Sequence, residues 1–591
     1  MGASTLVLLR QELARRELDG FIVPRADEHL GEYVPAAAER LAWLTGFTGS
    51  AGLAVVLATS AAVFTDGRYV LQLAEQTNPE LWQRLHITEE PPPSWLIRHA
   101  PKGARIGYDP LLISEEGLAR YTEVGLNMVP VQHNPIDAVW ADRPAPPRAP
   151  ALPHPLVFAG KTSEDKRADV ARLLREAKQD AAVLTDPASV AWLLNVRGGD
   201  VPYTPFALSF ALIHADGAAD LFIDPEKLPP ETRAWLGNAV SIISRDELGS
   251  ALAKLAGKTV RVDPAGSAVW FAQQLRAAGA AVASASDPCL LPKACKNPVE
   301  QQGAREAHLR DAAAVCRFLH WLSRTSATGQ ETEVSAAEAL LGFRREVDGF
   351  RGESFPAISG AGEHGAIIHY RVTEESNRPI RPNEVYLIDS GAQYPDGTTD
   401  ITRTVWTGPG DPPDEVRDRV TRVMQGHIAI ATAIFPKGVG GAHLDAFARR
   451  ALWQVGLDYD HGTGHGVGSY LSVHEGPVSI SRLARPVPID AGMILSDEPG
   501  FYLPDHYGIR LENLLLVQAA DMPGAAKPFL RFETLTLAPF DRRLLNPALM
   551  TGQERAWLND YHARVLRTVG PALGEVEREW LAAACAPLRL P

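Results

Sequence analysis

The sequence is poor in cysteine: Cys289, Cys295, Cys316 and Cys585 are the only four in 591 residues, and none forms a CxxC pair. That excludes a disulfide framework and fits a reducing compartment. No run of 18 apolar residues occurs, so no membrane-spanning helix is expected. The amino-terminal apolar run is broken by Arg10, Glu12, Arg15 and Arg16, which reads against a signal peptide and for a cytoplasmic protein. No cluster of Lys and Arg is present. With 58 basic and 71 acidic residues the formal charge is -13, so neither nucleic acid nor an anionic membrane is an expected partner. The βαβα beat of a dinucleotide-binding fold is missing, and the lysine of KGVGGAHLD precedes its glycines with no GK[ST] after them; nucleotide binding has no support. HExxH and GxSxG are missing too. Cys295 falls on a connecting segment and Cys316 on a helix face, so serine and cysteine hydrolysis have nothing to rest on.

What is present is a long chain, 45% hydrophobic and 22% charged, too long for one core; two to four domains are expected. Prolines mark the divisions. RPAPPRAPALPHP, residues 143–155, reads as a linker, and LPKACKNPVE, residues 291–300, precedes a long amphipathic helix. Domains of 1–150, 151–292 and 293–591 result. The first begins with a helix over 8–16, then DGFIVPRAD, LAWLTGF and AVVLATSAAVFTDGRY. The second begins with a helix over 166–177, then DAAVLTDPA, VAWLLNV and ALSFALIHADGAADLFID. The same order twice reads as two related α/β domains. The third domain reads as α+β with largely antiparallel strands. Helices are expected over 298–322, 415–434 and 443–455, and strands at AIIHYRV, EVYLIDSGAQY, TTDITRTVWT, MILSDEPGFY and YGIRLENLLLVQ.

Acidic residues interrupt these apolar strands. Asp389 follows VYLI, Asp400 lies in DGTTDITRTV, Glu498 follows MILSD, and Glu512 lies between GIRL and NLLLV. HGTGHGVG places His461 and His465 in a glycine-rich turn. A carboxylate in a buried strand is costly unless paired or bound to metal. Four of them with an imidazole suit Mn²⁺, Co²⁺, Fe²⁺ or Zn²⁺, and carboxylates can bridge two ions. Arg510, two residues before Glu512, is expected on the same strand face, where its guanidinium holds Asp389 or another ligand in place. His427, inside QGHIAIA, reads as structural; His308, His320, His364 and His443 are unassigned.

LIDSGAQYPDGTTDITRT, HGTGHGVG, SVHEGP, SDEPGFY and GIRLENLLLV closely resemble the peptidase family of methionine aminopeptidase, prolidase and aminopeptidase P. With TGFTGSAG and TDGRY in the first domain, the whole chain is similar to the long, three-domain cytosolic aminopeptidase P branch. The resemblance implies two creatinase-like α/β domains followed by a pita-bread catalytic domain. It implies two divalent metal ions, manganese first, with cobalt, iron or zinc also suited, held by Asp389, Asp400, His465, Glu498 and Glu512. Asp389 is implied to bind one ion, Asp400 and Glu512 to bridge, and His465 with Glu498 to complete the other. Glu498 doubles as the proton carrier beside a metal-bridging hydroxide. His474 is implied at the scissile carbonyl or leaving group, and His461 and His369 around the proline ring. The implied activity is hydrolysis of the bond between a first residue and a penultimate proline, in a homodimer acting on peptides. Two alternatives stand beside it: an Xaa-Pro dipeptidase, and a non-enzymatic scaffold that binds peptides or histones.

Overall fold

Strand residues of the amino-terminal half are buried on both sides, and alternation sorts them between two cores. Phe21, Val23, Ala54, Val56 and Val63 pack on one side of the first sheet; Ile22, Val55, Leu57, Ala62 and Phe64 pack on the other. Burial of each large side chain stabilises by roughly 1.5–3 kcal/mol. The sheet comprises β1 (Gly20–Pro24), β2 (Leu53–Leu57), β3 (Ala61–Thr65), β4 (Gln83–His86), β5 (Arg105–Tyr108) and β6 (Asn127–Pro130), ordered β4-β3-β2-β1-β5-β6. β7 (Ala181–Leu184), β8 (Phe210–His214), β9 (Ala219–Phe222), β10 (Val240–Ile243), β11 (Thr259–Val262) and β12 (Ala281–Ser284) form a second sheet, ordered β10-β9-β8-β7-β11-β12. Every pairing has the same sense in both. β1 meets β2 as β7 meets β8, antiparallel, and the edges β3–β4 and β9–β10 are parallel. The two domains also meet through reciprocal bonds: Glu116 N donates to Pro264 O (3.0 Å) and Trp270 N to Pro110 O (3.1 Å), each after an Asp-Pro that follows β5 or β11.

The computed structural model describes residues 2–589 and divides into two compact units, Met1–Leu156 with Lys161–Leu290, and Val157–Gly160 with Leu291–Pro591. The proline-rich stretch is less free than a linker. Leu152–Pro153 pairs with Val196–Arg197, and Ala151 donates to Lys227 O and accepts from Thr232 Oγ1.

In the second unit α1 (Pro298–Thr325) begins at a capping box. Asn297 Oδ1 accepts from Val299 N and Glu300 N, and Glu300 Oε2 accepts from Asn297 N. Such a cap contributes about 1 kcal/mol. The apolar face of α1, with Ala312, Val315, Cys316, Leu319 and Leu322, joins Ala336 and Leu340 of α2 (Glu333–Arg345) in the main core. α3 (Asp414–Ala431) and α4 (Gly441–Trp453) lie close to the expected ranges and pack together. β13 (Ile358–Ala361), β14 (Val385–Ser390) and β15 (Ile401–Trp406) make an antiparallel sheet. β16 (Ile434–Pro436), β17 (Gly464–Gly466), β18 (Glu475–Ile480), β19 (Ile494–Asp497), β22 (Asn513–Ala520) and β23 (Phe529–Thr534) make a second, ordered β16-β23-β22-β19-β17-β18. Between β19 and β22 the hairpin β20 (Gly500–Leu503) and β21 (Tyr507–Arg510) stands apart.

Four expectations change here. AIIHYRV is not a strand: Gly362–Ala366 is a short 3-10 helix, and residues 367–372 are irregular. MILSDEPGFY breaks at Glu498–Pro499 and YGIRLENLLLVQ at Leu511–Glu512, because each acidic residue spends its N–H outside its own strand. Glu498 N donates to Thr463 O (2.8 Å) and Glu512 N to Thr402 O (3.2 Å). His465 is the middle residue of β17, paired with Ser479 beside a bulge, rather than in a turn.

Candidate metal centre

The breaks in the strands gather the acidic residues. Asp389, on β14, is cross-strand partner of Thr402 on β15, and Thr402 Oγ1 donates to Glu512 Oε2 at 2.7 Å. Asp400 immediately precedes β15. One ligand atom each from Asp400, His465 and Glu512 lie within 4.8 Å of one another. His465 Nε2 is 3.4 Å from both Asp400 Oδ2 and Glu498 Oε1. The glycines of HGTGHGVG allow this approach. A Cβ on Gly464 would stand 2.0 Å from Ser496 O, and one on Gly466 2.2 Å from Glu475 O, so larger residues would separate β17 from its neighbours. Ser496 ties the two sides together, accepting from His465 N (2.8 Å) and donating to Glu498 Oε1 (3.1 Å).

Arg510 does hold Asp389, its Nη2 donating to Oδ2 at 2.7 Å. It does so from the end of β21, a different sheet from β22, so the expectation of one face shared with Glu512 fails. Its Nε reaches Thr402 Oγ1 (3.2 Å) and its Nη1 reaches Tyr502 OH (2.7 Å), which lies 2.8 Å from His461 Nε2. His461 is thus connected to Asp389 through Tyr502 and Arg510. The His474 and His465 rings meet edge to face, centroids 4.3 Å apart. His369 lies on the irregular segment after the 3-10 helix, which packs on the hairpin bearing Arg510: a Cβ on Gly508 would fall 1.7 Å from Gly365 O. His427 is buried in α3, with Nδ1 3.1 Å from Asp497 O and Nε2 3.2 Å from Asn513 Nδ2, behind both glutamates.

Four carboxylates here crowd around one guanidinium and one imidazole. Burial raises Glu498 to about 7, opposed by His465 and Arg510 and aided by Asp400 and Asp389. Burial, with Asp400, Glu498 and Asp389 nearby, pushes Glu512 well above the usual carboxylate range. Burial raises Asp389 too, against the pull of Arg510. For His465 burial lowers the affinity, but Asp400 and Glu498 overcome it and raise it to about 9. Tyr502 is pushed up to about 12, chiefly by burial. The cluster is short of positive charge.

The residues present fit a cation. Asp389 Oδ1 is buried with no hydrogen-bond partner, which in a native interior calls for an ion or water. His465 Nδ1 lies 2.9 Å from Gly466 O, so a proton there turns the lone pair of Nε2 toward the carboxylates. Oxygen donors with one nitrogen suit Mn²⁺, Co²⁺, Fe²⁺ or Zn²⁺. Tyr502, Thr402 and Ser496 escaped sequence reasoning: a tyrosine in GFY reads as core, and hydroxyls in strands carry no local signal.

An α+β unit that buries four carboxylates and an imidazole around one unfilled charge deficit defines a candidate hydrolytic metal centre. Residues 302–519 match metallopeptidase family M24, and 528–588 its carboxyl-terminal region; 6–139 and 142–300 each match a creatinase/prolidase amino-terminal domain. A probable Xaa-Pro aminopeptidase P of Aspergillus niger is 41% identical over 584 residues, covering 95% of this chain and 94% of that one. Aminopeptidase P1 of Lotus japonicus is 37% identical, covering 99% of each chain. The crystal structure of a Caenorhabditis elegans X-prolyl aminopeptidase, described as a cytosolic enzyme with a di-nuclear active site, superposes with a TM-score of 0.94, at 36% identity and full coverage of both chains. The chain belongs to metallopeptidase family M24, with two creatinase-type α/β domains before the pita-bread domain.

Proposed function

We propose that this protein is a metal-dependent Xaa-Pro aminopeptidase, hydrolysing the bond between a first residue and a penultimate proline. The observation that carries the reading is the crowding of four carboxylates, Asp389, Asp400, Glu498 and Glu512, around His465 and Arg510, in a chain aligned end to end with enzymes of that name. Asp389, Asp400, His465, Glu498 and Glu512 would together hold two divalent ions. When bound, such ions polarise the scissile carbonyl and make water a nucleophile at neutral pH. Manganese is the ion proposed, on the oxygen-rich donor set.

The protein's own residues do the rest. Glu498, held at Oε1 by Ser496, takes the proton of the attacking water and delivers it to the leaving proline nitrogen. His474, against His465, stabilises the charge that develops on the carbonyl oxygen. His461, fixed by Tyr502, and His369 flank the proline ring. A homodimer is proposed as well, supported by exposed Phe447, Trp453 and Val455 on and just beyond α4, along with a cytoplasmic location. No described helix is long and apolar enough to cross a membrane.

The test compares an Xaa-Pro-Xaa tripeptide with an Xaa-Pro dipeptide, using chelated protein resupplied with Mn²⁺. Faster turnover of the tripeptide is expected. Equal or reversed rates assign the protein to the dipeptidases, and no hydrolysis of either assigns it to the scaffolds.

A further inference from the structure

Between β13 and β14 the chain runs from Ala361 to Glu384 with one short 3-10 helix and no strand. Few ladder bonds hold such a stretch, yet it carries His369. Four of its groups converge on one carboxylate. Glu333, the first residue of α2, is fully buried. Its Oε1 accepts from Ala361 N at 2.8 Å; its Oε2 accepts from Tyr370 OH at 3.0 Å and Arg378 N at 3.3 Å; His364 Nδ1 lies 2.9 Å from both oxygens. Glu333 N in turn donates to Arg378 O at 3.1 Å. A carboxylate at a helix N-terminus is favoured by the helix dipole, so its charge is tolerated there.

The latch extends outward. Tyr370 OH also reaches Ser376 Oγ (3.0 Å), which accepts from Thr373 N (3.0 Å), and the His364 ring packs on Tyr370 with centroids 4.6 Å apart. Arg378 donates to Glu363 Oε2 (3.0 Å) and Glu384 Oε2 (2.9 Å), closing the two ends of the stretch on each other. His369 sits in the sequence between two residues that this carboxylate holds, His364 and Tyr370, and is the neighbour of the second. Asp311, another buried carboxylate of the unit, ties α1 to α2 through Arg344. Glu333 joins a helix to the end of β13, the short 3-10 helix and the irregular stretch that follows it.

We propose that Glu333 is a positioning residue for peptide specificity: through His364 and Tyr370 it fixes residues 361–378, and with them the place of His369 beside the penultimate proline. The inference rests on the assignment of His369 to the proline side of the site. Glu333→Gln preserves shape but replaces one acceptor oxygen with a donor; Tyr370→Phe removes a single hydroxyl and leaves the helix untouched. Neither residue is itself a proposed metal ligand, and Mn²⁺ stoichiometry is expected to stay at the wild-type value.

The experiment measures kcat and KM on Xaa-Pro-Xaa and Xaa-Ala-Xaa tripeptides for Glu333→Gln, Tyr370→Phe, His369→Ala and the Glu333→Gln/His369→Ala double variant, each Mn²⁺-loaded. Expected is a fall of roughly 10- to 100-fold in kcat/KM on the proline peptide for Glu333→Gln, carried by KM. Tyr370→Phe shifts the same way by less, preference for proline over alanine declines in both, and the double variant is no worse than His369→Ala alone. A purely structural role would instead lower stability while leaving KM and the proline preference in place. If His369→Ala raises KM while Glu333→Gln and Tyr370→Phe do not, or if the double variant's losses multiply, the proposal is overturned on its own. If His369→Ala leaves KM and proline preference unchanged, the subsite assignment fails and the proposal falls with it.

Discussion

Two kinds of buried carboxylate sit in the same unit. Asp311 is held bidentately by Arg344 at 2.9 and 3.0 Å and also accepts from Tyr394 OH and Thr399 Oγ1; Asp445 is matched by Arg449 and Thr463; Glu475 lies between the ammonium groups of Lys293 and Lys296. Each is saturated by the protein. Asp389, Asp400, Glu498 and Glu512 share Arg510, and Asp389 keeps an orphaned oxygen. Burial cost is common to both groups. What separates them is whether the chain supplies the countercharge, so an acid left in deficit marks where a cation belongs.

The comparison can be broken from either side. At the deficient cluster, Glu498→Gln is expected to lower kcat by roughly 10²- to 10⁴-fold, while thermal stability of the metal-free protein holds or rises. A variant that is metal-replete and active ends the proton-carrier role. At the saturated group, Asp311→Ala strands the Arg344 guanidinium and is expected to cost about 3–5 kcal/mol of stability in a denaturant titration. Metal stoichiometry in the folded fraction is expected to stay unchanged; loss of metal without loss of stability would reverse the two classes.

Arg510 stands between them. Arg510→Met is expected to weaken metal binding and kcat/KM together by roughly 10- to 100-fold, since it releases both Asp389 and Tyr502. The smallest effect is one of pH. Glu498 moves from its ordinary 4.5 to about 7 and His465 from 6.5 to about 9, so both bind protons more tightly folded than unfolded. Metal-free stability therefore falls as pH rises, through Glu498 between about 4.5 and 7 and through His465 between about 6.5 and 9. Melting temperatures of chelated protein should drop from pH 5 to pH 8, and saturating Mn²⁺ should flatten that slope. A metal-free melting temperature that climbs over this range contradicts the charge deficit.

Much of this was legible in the residues. An Asp or Glu directly after VYLI, MILSD or GIRL is conspicuous because alternation predicts an apolar or solvent-facing residue there. All five candidate ligands could be named from that, and from a resemblance, before any distance was known. The matched sheets of the first unit follow from a repeated order of elements. Partners from distant chain segments were not legible. Tyr502 reads as a core aromatic, Glu333 as the polar start of a helix, and Lys293 and Lys296 as part of a domain junction, yet each finds its carboxylate or imidazole partner only in three dimensions. AIIHYRV has the apolar content of a strand, but its N–H groups close local turns instead, Ile367 N donating to His364 O and Tyr370 N to Ile367 O. The breaks at Glu498 and Glu512 were equally silent, since the N–H groups concerned pair with Thr463 and Thr402.

The central claim is that the unmatched carboxylates bind two divalent ions and that these make the protein an Xaa-Pro aminopeptidase. Stepwise addition of Mn²⁺ to chelated protein, with bound metal and hydrolysis of an Xaa-Pro-Xaa tripeptide read on the same samples, tests it directly. Activity that is absent without metal and reaches its plateau at two equivalents per chain is the expected result. Hydrolysis that survives chelation, or two bound ions with no hydrolysis, contradicts it.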